Sequence, residues 1–122
     1  MHRAAQAYGK VARQIATPRE LEANLLLRAA AHLQAVCSEW TERQVELREA
    51  LLFNRKLWTI LMTSVTSEDN PLSVEIRQNV ANLGLFVLNH TVEVMNDPRP
   101  EQLDSLIKIN RDVAAGLMGR AA

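Results

Sequence analysis

One cysteine and three histidines are the first side chains in this sequence to consider for covalent or metal chemistry. Cys37 falls on an apolar helical face, where cysteine usually packs as a small hydrophobe, whereas a reactive thiol needs exposure and positive surroundings. His90 and Glu93 form one H-x-x-E pair, which supplies two of the three or four ligands that zinc takes from a protein. Glycine-rich phosphate loops and G-x-S-x-G elbows are absent from the sequence. We therefore predict no enzymatic activity, no metal or cofactor and no small-molecule substrate.

Charge and composition argue against two further classes of function. The fourteen basic and fourteen acidic residues cancel, so nothing steers the chain toward nucleic acid or anionic lipid. Arg3, Lys10, Arg13 and Arg19 crowd the N-terminal region, but no aromatic pattern for base stacking accompanies them. A solvated helix face explains these residues better than RNA contact, which stays a minor alternative. The lack of a secretory segment and of a long apolar run predicts a cytoplasmic protein that does not insert into membranes.

Helical periodicity and helix breakers divide the chain into about five helices. The predicted helices cover roughly residues 4–15, 18–43, 46–65, 72–96 and 103–117. The first is marginal on its own, because its apolar line is narrow and isolated helices of this length rarely persist in water. Thr17-Pro18 followed by Glu20 is a typical start for the second helix. The pattern predicts a single all-α domain over residues 1–122, folded as one compact bundle.

The fourth predicted helix carries two apolar stripes instead of one. The first comprises Ile76, Val80, Leu83, Val87 and Val94, and the second comprises Ala81, Leu85, Leu88, Val92 and Met95. We predict that the first stripe faces the core and that the second lines a groove for a partner. The alternative is that the first and fifth helices cover the second stripe, because doubly apolar helices are often central.

Polar and aromatic residues near the second stripe complete the predicted binding surface. Asn82 and Asn89 would flank the groove and bond polar groups of a guest, because asparagine is otherwise a poor residue inside a helix. Trp40 is interpreted as a core residue, whereas Trp58 is expected to reach the groove from the preceding helix. The predicted partner-binding residues are Arg55, Trp58, Asn82, Leu85, Leu88, Asn89 and Val92.

Five blocks of the sequence carry a family resemblance. They are AYGKVA, TPRELEANLLLRAA, EALLFNRKLWTILMTSVTSEDNPL, IRQNVANLGLFV and LIKINRDVAAGL. Together they resemble the FlaF family, small flagellar proteins of alphaproteobacteria, over most of the chain from about Ala7 to Leu117. NRKLW and the run from SEDNPL to IRQN are the most specific parts of this resemblance.

The resemblance implies a cytoplasmic, non-catalytic protein that binds flagellin and assists its regulated synthesis and export, with a second regulator, FlbT, as a possible partner. An apolar groove suits that role, because it can cover the amphipathic helices of an export substrate before assembly. The alternative function is post-transcriptional regulation of flagellin messenger RNA, directly or through FlbT. The two functions differ in salt dependence, since phosphate contacts weaken steeply with salt.

Overall fold

The computed structural model describes residues 17–119, which form four long helices. These are α1 (Pro18–Ser38), α2 (Leu47–Thr66), α3 (Val74–Asn96) and α4 (Leu103–Leu117). A helical turn at Trp40–Arg43 and a 3-10 turn at Gln44–Glu46 connect α1 to α2, and a 3-10 turn at Pro100–Gln102 leads into α4. The all-α prediction is confirmed, with no strand in residues 17–119. The predicted first helix, residues 4–15, lies outside the described residues.

Side-chain caps set where α1 and α3 begin. The Thr17 hydroxyl accepts a hydrogen bond from the backbone N–H of Glu20 at 3.1 Å, and Pro18 follows in the first turn. The Ser73 hydroxyl accepts from the backbone N–H of Ile76 at 3.2 Å. Each cap satisfies one backbone donor that has no partner within the helix. The Ser73 cap therefore starts α3 at residue 74, slightly later than the predicted 72.

The connection between α1 and α2 is held by an ion cluster centred on Glu46. Arg43 donates to the two carboxylate oxygens of Glu46 at 2.8 and 2.9 Å, and His32 Nε2 lies 3.0 Å from Oε1. The hydrogen bonds from Arg43, and next that from His32, lower the pKa of Glu46 from 4.5 to about 2. The ionised carboxylate is therefore the form that fits this connection.

Glu46→Gln is expected to reduce the loss of folding free energy that occurs when the pH is lowered. Because the folded pKa lies below the value of 4.5 in the unfolded chain, the stabilisation is present above about pH 4.5 and is lost as the pH falls toward 2. Urea unfolding between these pH values measures the effect, with Glu49→Gln on the exposed face of α2 as the matched control. An unchanged acid dependence in Glu46→Gln would contradict the assignment.

The helices pack as two pairs. α4 packs mainly on α1 and α3 packs mainly on α2, while α1 and α2 join the pairs and α3 meets α4 over a small contact. Every long helix contributes fully buried side chains to one core, among them Leu26, Leu33, Leu51, Leu61, Val87, Val94, Leu103 and Leu106. Because α2 is its main neighbour, α3 lies at the edge of the described bundle.

A polar network lies inside this apolar core. Trp58 is fully buried and donates from Nε1 to Asn110 Oδ1 at 2.8 Å. Asn110 Nδ2 donates in turn to Asn54 Oδ1 at 2.7 Å and to the Leu26 carbonyl at 3.3 Å. The network therefore ties α1, α2 and α4 together, since a buried indole N–H and a buried amide both need partners.

The predicted placement of Trp58 in a groove is wrong, because its ring is enclosed by the core and its N–H is taken by Asn110. Trp40, predicted to be a core residue, is only partly buried and packs against the edge of the core. Trp40 is the first residue of the helical turn Trp40–Arg43, which follows α1 and leads toward α2.

Gly84 allows α2 and α3 to approach closely. A Cβ at this position would lie 2.5 Å from Sδ and 2.6 Å from Cγ of Met62, well inside van der Waals contact. The missing side chain thus lets Met62 pack directly on the α3 backbone. Because α2 and α3 run antiparallel, this contact also sets their register: a residue before Met62 in α2 lies beside a residue equally far after Gly84 in α3.

Gly84→Val is expected to destabilise the fold by about 1–3 kcal/mol, because the added methyl groups overpack the α2–α3 interface. Met62→Ala in the same chain should recover much of that loss by making room. Gly116→Val on α4 is the control, since a Cβ there meets no atom within 4 Å. Chemical denaturation of the single and double variants measures the coupling, and additive losses would contradict the steric explanation.

Candidate functional site

The outer flank of α3 presents apolar side chains at helical spacing. Leu85 is 57% exposed and Val92 is 51% exposed, with Leu88 and Ala81 partly buried beside them. Residues three to four apart lie along one side of a helix, so these four form a continuous line. We call Ala81, Leu85, Leu88 and Val92 the α3 stripe. Within residues 17–119, α4 does not cover it, because α4 packs on α1. Ala81 also packs against the core, and so does Met95, whose predicted place in the groove is therefore a correction.

The opposite flank of α3 faces the core, largely as predicted. Val80, Val87 and Val94 are buried and Leu83 is partly buried against the core. Ile76 is a correction, because it is 46% exposed. Gly84 lies beside Met62, and Ile76 precedes Gly84 by eight residues, so Ile76 lies level with the α2–α3 loop. Because α2 ends at Thr66, that helix has no surface there to cover Ile76.

Amide side chains border the α3 stripe. Asn82 and Asn89 are both exposed, and Asn82 Oδ1 accepts a hydrogen bond from Gln78 Nε2 at 3.0 Å. Residues 78–92 contain no Asp, Glu, Lys or Arg, which leaves about 22 Å of helix without a formal charge apart from a protonatable histidine. A partner that covers this face would desolvate amides and hydrocarbon, and burying those costs much less than burying charges.

Arg55 is the predicted site residue that α2 contributes. Arg55 is exposed and precedes Met62 by seven residues. Because Met62 lies beside Gly84 and the two helices run antiparallel, Arg55 lies level with Thr91, seven residues after Gly84 in α3. That level corresponds to the Leu88–Val92 end of the α3 stripe. Of the predicted site residues, Asn82, Leu85, Leu88, Asn89 and Val92 lie on the outer part of α3, and Arg55 lies on α2 level with the Val92 end. Trp58 is removed from the set because it is fully buried.

The residues with possible chemistry take structural roles. His90 Nε2 lies 2.7 Å from the Gln102 carbonyl, and its ring stacks on Phe86 with centroids 5.2 Å apart. Cys37 Sγ lies 3.4 Å from the Pro100 carbonyl, and burial followed by the charge of Asp104 raises the pKa of this thiol. A raised pKa keeps the sulfur protonated and poorly nucleophilic. No group of three or more His, Cys, Asp or Glu in the described part of the chain is placed to hold a metal ion.

A second exposed apolar set lies outside the predicted binding surface. It consists of Leu21, Leu25, Phe53 and Ile60 on α1 and α2, with Arg28 placed 5.9 Å above the Phe53 ring. The sequence signal for this set is the apolar pair Phe53 and Ile60, seven residues apart on one side of α2. Periodicity alone does not show that these side chains stay exposed among residues 17–119.

Fold and site together define, over the described residues 17–119, an all-α bundle whose edge helix, α3, carries an uncovered, charge-poor face. Among residues 17–119, no helix is long and apolar enough to cross a lipid bilayer. The chain matches the family described as flagellar protein FlaF over residues 4–117, and it belongs to that family. The resemblance inferred from the sequence blocks is therefore confirmed, and the protein has a flagellar role. No curated protein and no solved structure matches the chain.

Proposed function

We propose that this protein binds flagellin in the cytoplasm through the α3 stripe and assists its regulated synthesis and export without catalysis. The observation that carries the proposal is the half-exposed apolar line of α3 within a helix segment that lacks Asp, Glu, Lys and Arg. Such a surface suits the apolar face of an amphipathic helix, which docks by anchors at intervals of three and four residues. A flagellar family membership supplies the context for a flagellar substrate.

The chemistry of the surface indicates how a guest helix would be held. Complete burial of a large aliphatic side chain stabilises by about 1.5–3 kcal/mol, and Leu85 and Val92 each retain about half of their surface for a partner. Asn82 and Asn89 supply hydrogen-bond donors and acceptors along one edge. Arg55 places one cation at the Val92 end, which favours a guest with an acidic group or a helix C-terminus there.

The alternative function, direct binding of flagellin messenger RNA, requires a cationic surface to neutralise phosphates. Among residues 17–119, the face centred on the α3 stripe provides one arginine, Arg55, and no interleaved aromatic stacking platform. This balance favours flagellin as the partner. FlbT is a possible additional partner that would act on the same complex.

Size-exclusion chromatography of the purified protein with flagellin tests the proposal at low and high salt. We expect co-elution that persists from about 50 mM to 500 mM salt, because apolar burial is not screened by ions. Flagellin messenger RNA and FlbT are assayed separately and in combination with flagellin. Failure of flagellin to co-elute would refute the proposal, and RNA binding that falls steeply with salt would support the alternative.

A further inference from the structure

One end of the bundle contains a cavity of about 1130 Å³ that belongs neither to the core nor to the α3 stripe. It lies where the start of α1 meets the end of α2, the α2–α3 loop and the end of α4. A water molecule occupies about 30 Å³ in the liquid, so this space can hold several side chains.

The floor of the cavity is apolar and fixed by local hydrogen bonds. Leu117 is buried, and Leu72 and Met118 are partly buried beside it. Asn70 Nδ2 donates to the backbone carbonyl and the hydroxyl of Ser64, each at 3.1 Å, and Asn70 Oδ1 accepts from the Leu72 N–H at 3.0 Å. These bonds hold the α2–α3 loop in place, so the floor is formed before any guest arrives.

The rim of the cavity is acidic on balance. Among the described lining residues, Glu20, Glu22 and Asp69 are acidic and Arg19 is basic. Arg77 donates to the carbonyl of the lining residue Ser67 at 3.0 Å, and with this second base the acidic groups still outnumber the bases. Burial raises the pKa of Glu22, although Ser64 and Arg19 act in the opposite direction. A basic group entering the cavity would attract that carboxylate and offset the cost of its desolvation, as Arg19 already does in part.

The chain itself supplies a segment of matching chemistry. Residues 1–16 contain Arg3, Lys10 and Arg13 and no acidic residue. Their apolar positions follow a helical line, Ala4, Tyr8, Val11 and Ile15. The segment is therefore basic and amphipathic, whereas the cavity has an acidic rim and an apolar floor.

The attachment point favours entry of this segment into the cavity. Thr17 lines the cavity and is extended, with φ −70° and ψ 153°. A residue before proline avoids the helical conformation, so α1 does not continue back through Thr17. Ile15 lies two residues from Thr17 in the sequence, and Val11 lies four residues before Ile15. Both apolar positions are therefore close in sequence to a residue that lines the cavity.

We propose that residues 4–16 dock as an amphipathic helix in this cavity, with Val11 and Ile15 over Leu72 and Met118 and the basic side chains toward the acidic rim. The inference concerns a surface separate from the α3 stripe and does not depend on flagellin binding. It gives the N-terminal segment an intramolecular partner, which a narrow apolar stripe requires in order to remain helical in water.

Amide chemical shifts of the full-length protein test the docking. Val11→Asp and Ile15→Asp are expected to release the segment and shift the resonances of Leu72, Met118 and Gly119, while Leu85 on α3 stays unchanged. Gln14→Asp introduces the same charge beside Ile15 but off the apolar line, and it is expected to leave the cavity resonances in place. Glu22→Lys should produce the release pattern by opposing the basic residues.

A spin label at Ala7→Cys, in a Cys37→Ser background, locates the segment directly. Docking predicts broadening of the Leu72 and Met118 amides and none at Leu85. Unchanged cavity resonances in Val11→Asp and Ile15→Asp, identical effects from Gln14→Asp, or broadening centred on α3 would overturn the proposal. Global unfolding of Ile15→Asp would also overturn it, because a docked surface segment is not needed to hold the core.

Discussion

Trp58→Ala is expected to lower the free energy of unfolding by about 3–5 kcal/mol, as for other fully buried aromatic side chains. The substitution opens a cavity at the junction of α1, α2 and α4. It also removes the indole N–H that donates a hydrogen bond to Asn110 Oδ1. That acceptor would then be buried without its indole partner, which adds to the loss. Urea denaturation followed by circular dichroism measures the change.

Two controls separate the contributions to this loss. Trp58→Phe keeps much of the ring volume and removes the indole donor, so we expect a smaller loss of about 1–3 kcal/mol. Trp40→Ala should cost less than Trp58→Ala, because Trp40 is only partly buried at the edge of the core. A larger loss for Trp40→Ala than for Trp58→Ala would contradict the assignment of Trp58 as the central aromatic residue.

Leu85→Asp is expected to weaken flagellin binding by about 30-fold or more, which corresponds to at least about 2 kcal/mol at a central interface residue. The aspartate would bring a charge into the uncharged middle of the α3 stripe, where a bound helix would exclude water from it. Stability should change by no more than about 0.5 kcal/mol, because Leu85 is 57% exposed in the free protein. Isothermal titration with flagellin and thermal melting measure the two quantities.

Ile60→Asp is the matched control for this experiment. Ile60 is also 57% exposed, but it lies two residues before Met62 and therefore on roughly the opposite side of α2 from the contact with Gly84. It should retain flagellin binding. Val92→Asp should reproduce the loss, whereas Leu88→Asp should also reduce stability because Leu88 is partly buried. Equal loss of binding in Ile60→Asp and Leu85→Asp would place the interface elsewhere.

The helices could be predicted from the sequence because their determinants are local. Thr17-Pro18, Asn70-Pro71 and the Asp97–Pro100 run interrupt helical periodicity, and α2 and α4 lie within about one residue of their predicted bounds. The absence of Asp, Glu, Lys and Arg from residues 78–92 and the two apolar lines of α3 are likewise properties of the sequence. Six of the seven predicted site residues therefore remain candidates, and only Trp58 is removed because it is buried.

Tertiary packing decided which apolar residues are buried. Both tryptophans lie on apolar helical faces, but only Trp58 meets a buried acceptor, and that acceptor, Asn110, is 52 residues away in the chain. Likewise, the two apolar stripes of α3 have the same helical spacing, so the sequence does not show which stripe is buried. Among residues 17–119 the second stripe stays uncovered because α4 packs against α1. Periodicity records which side of a helix is apolar, whereas burial depends on contacts between residues distant in sequence, and those form only when the helices pair.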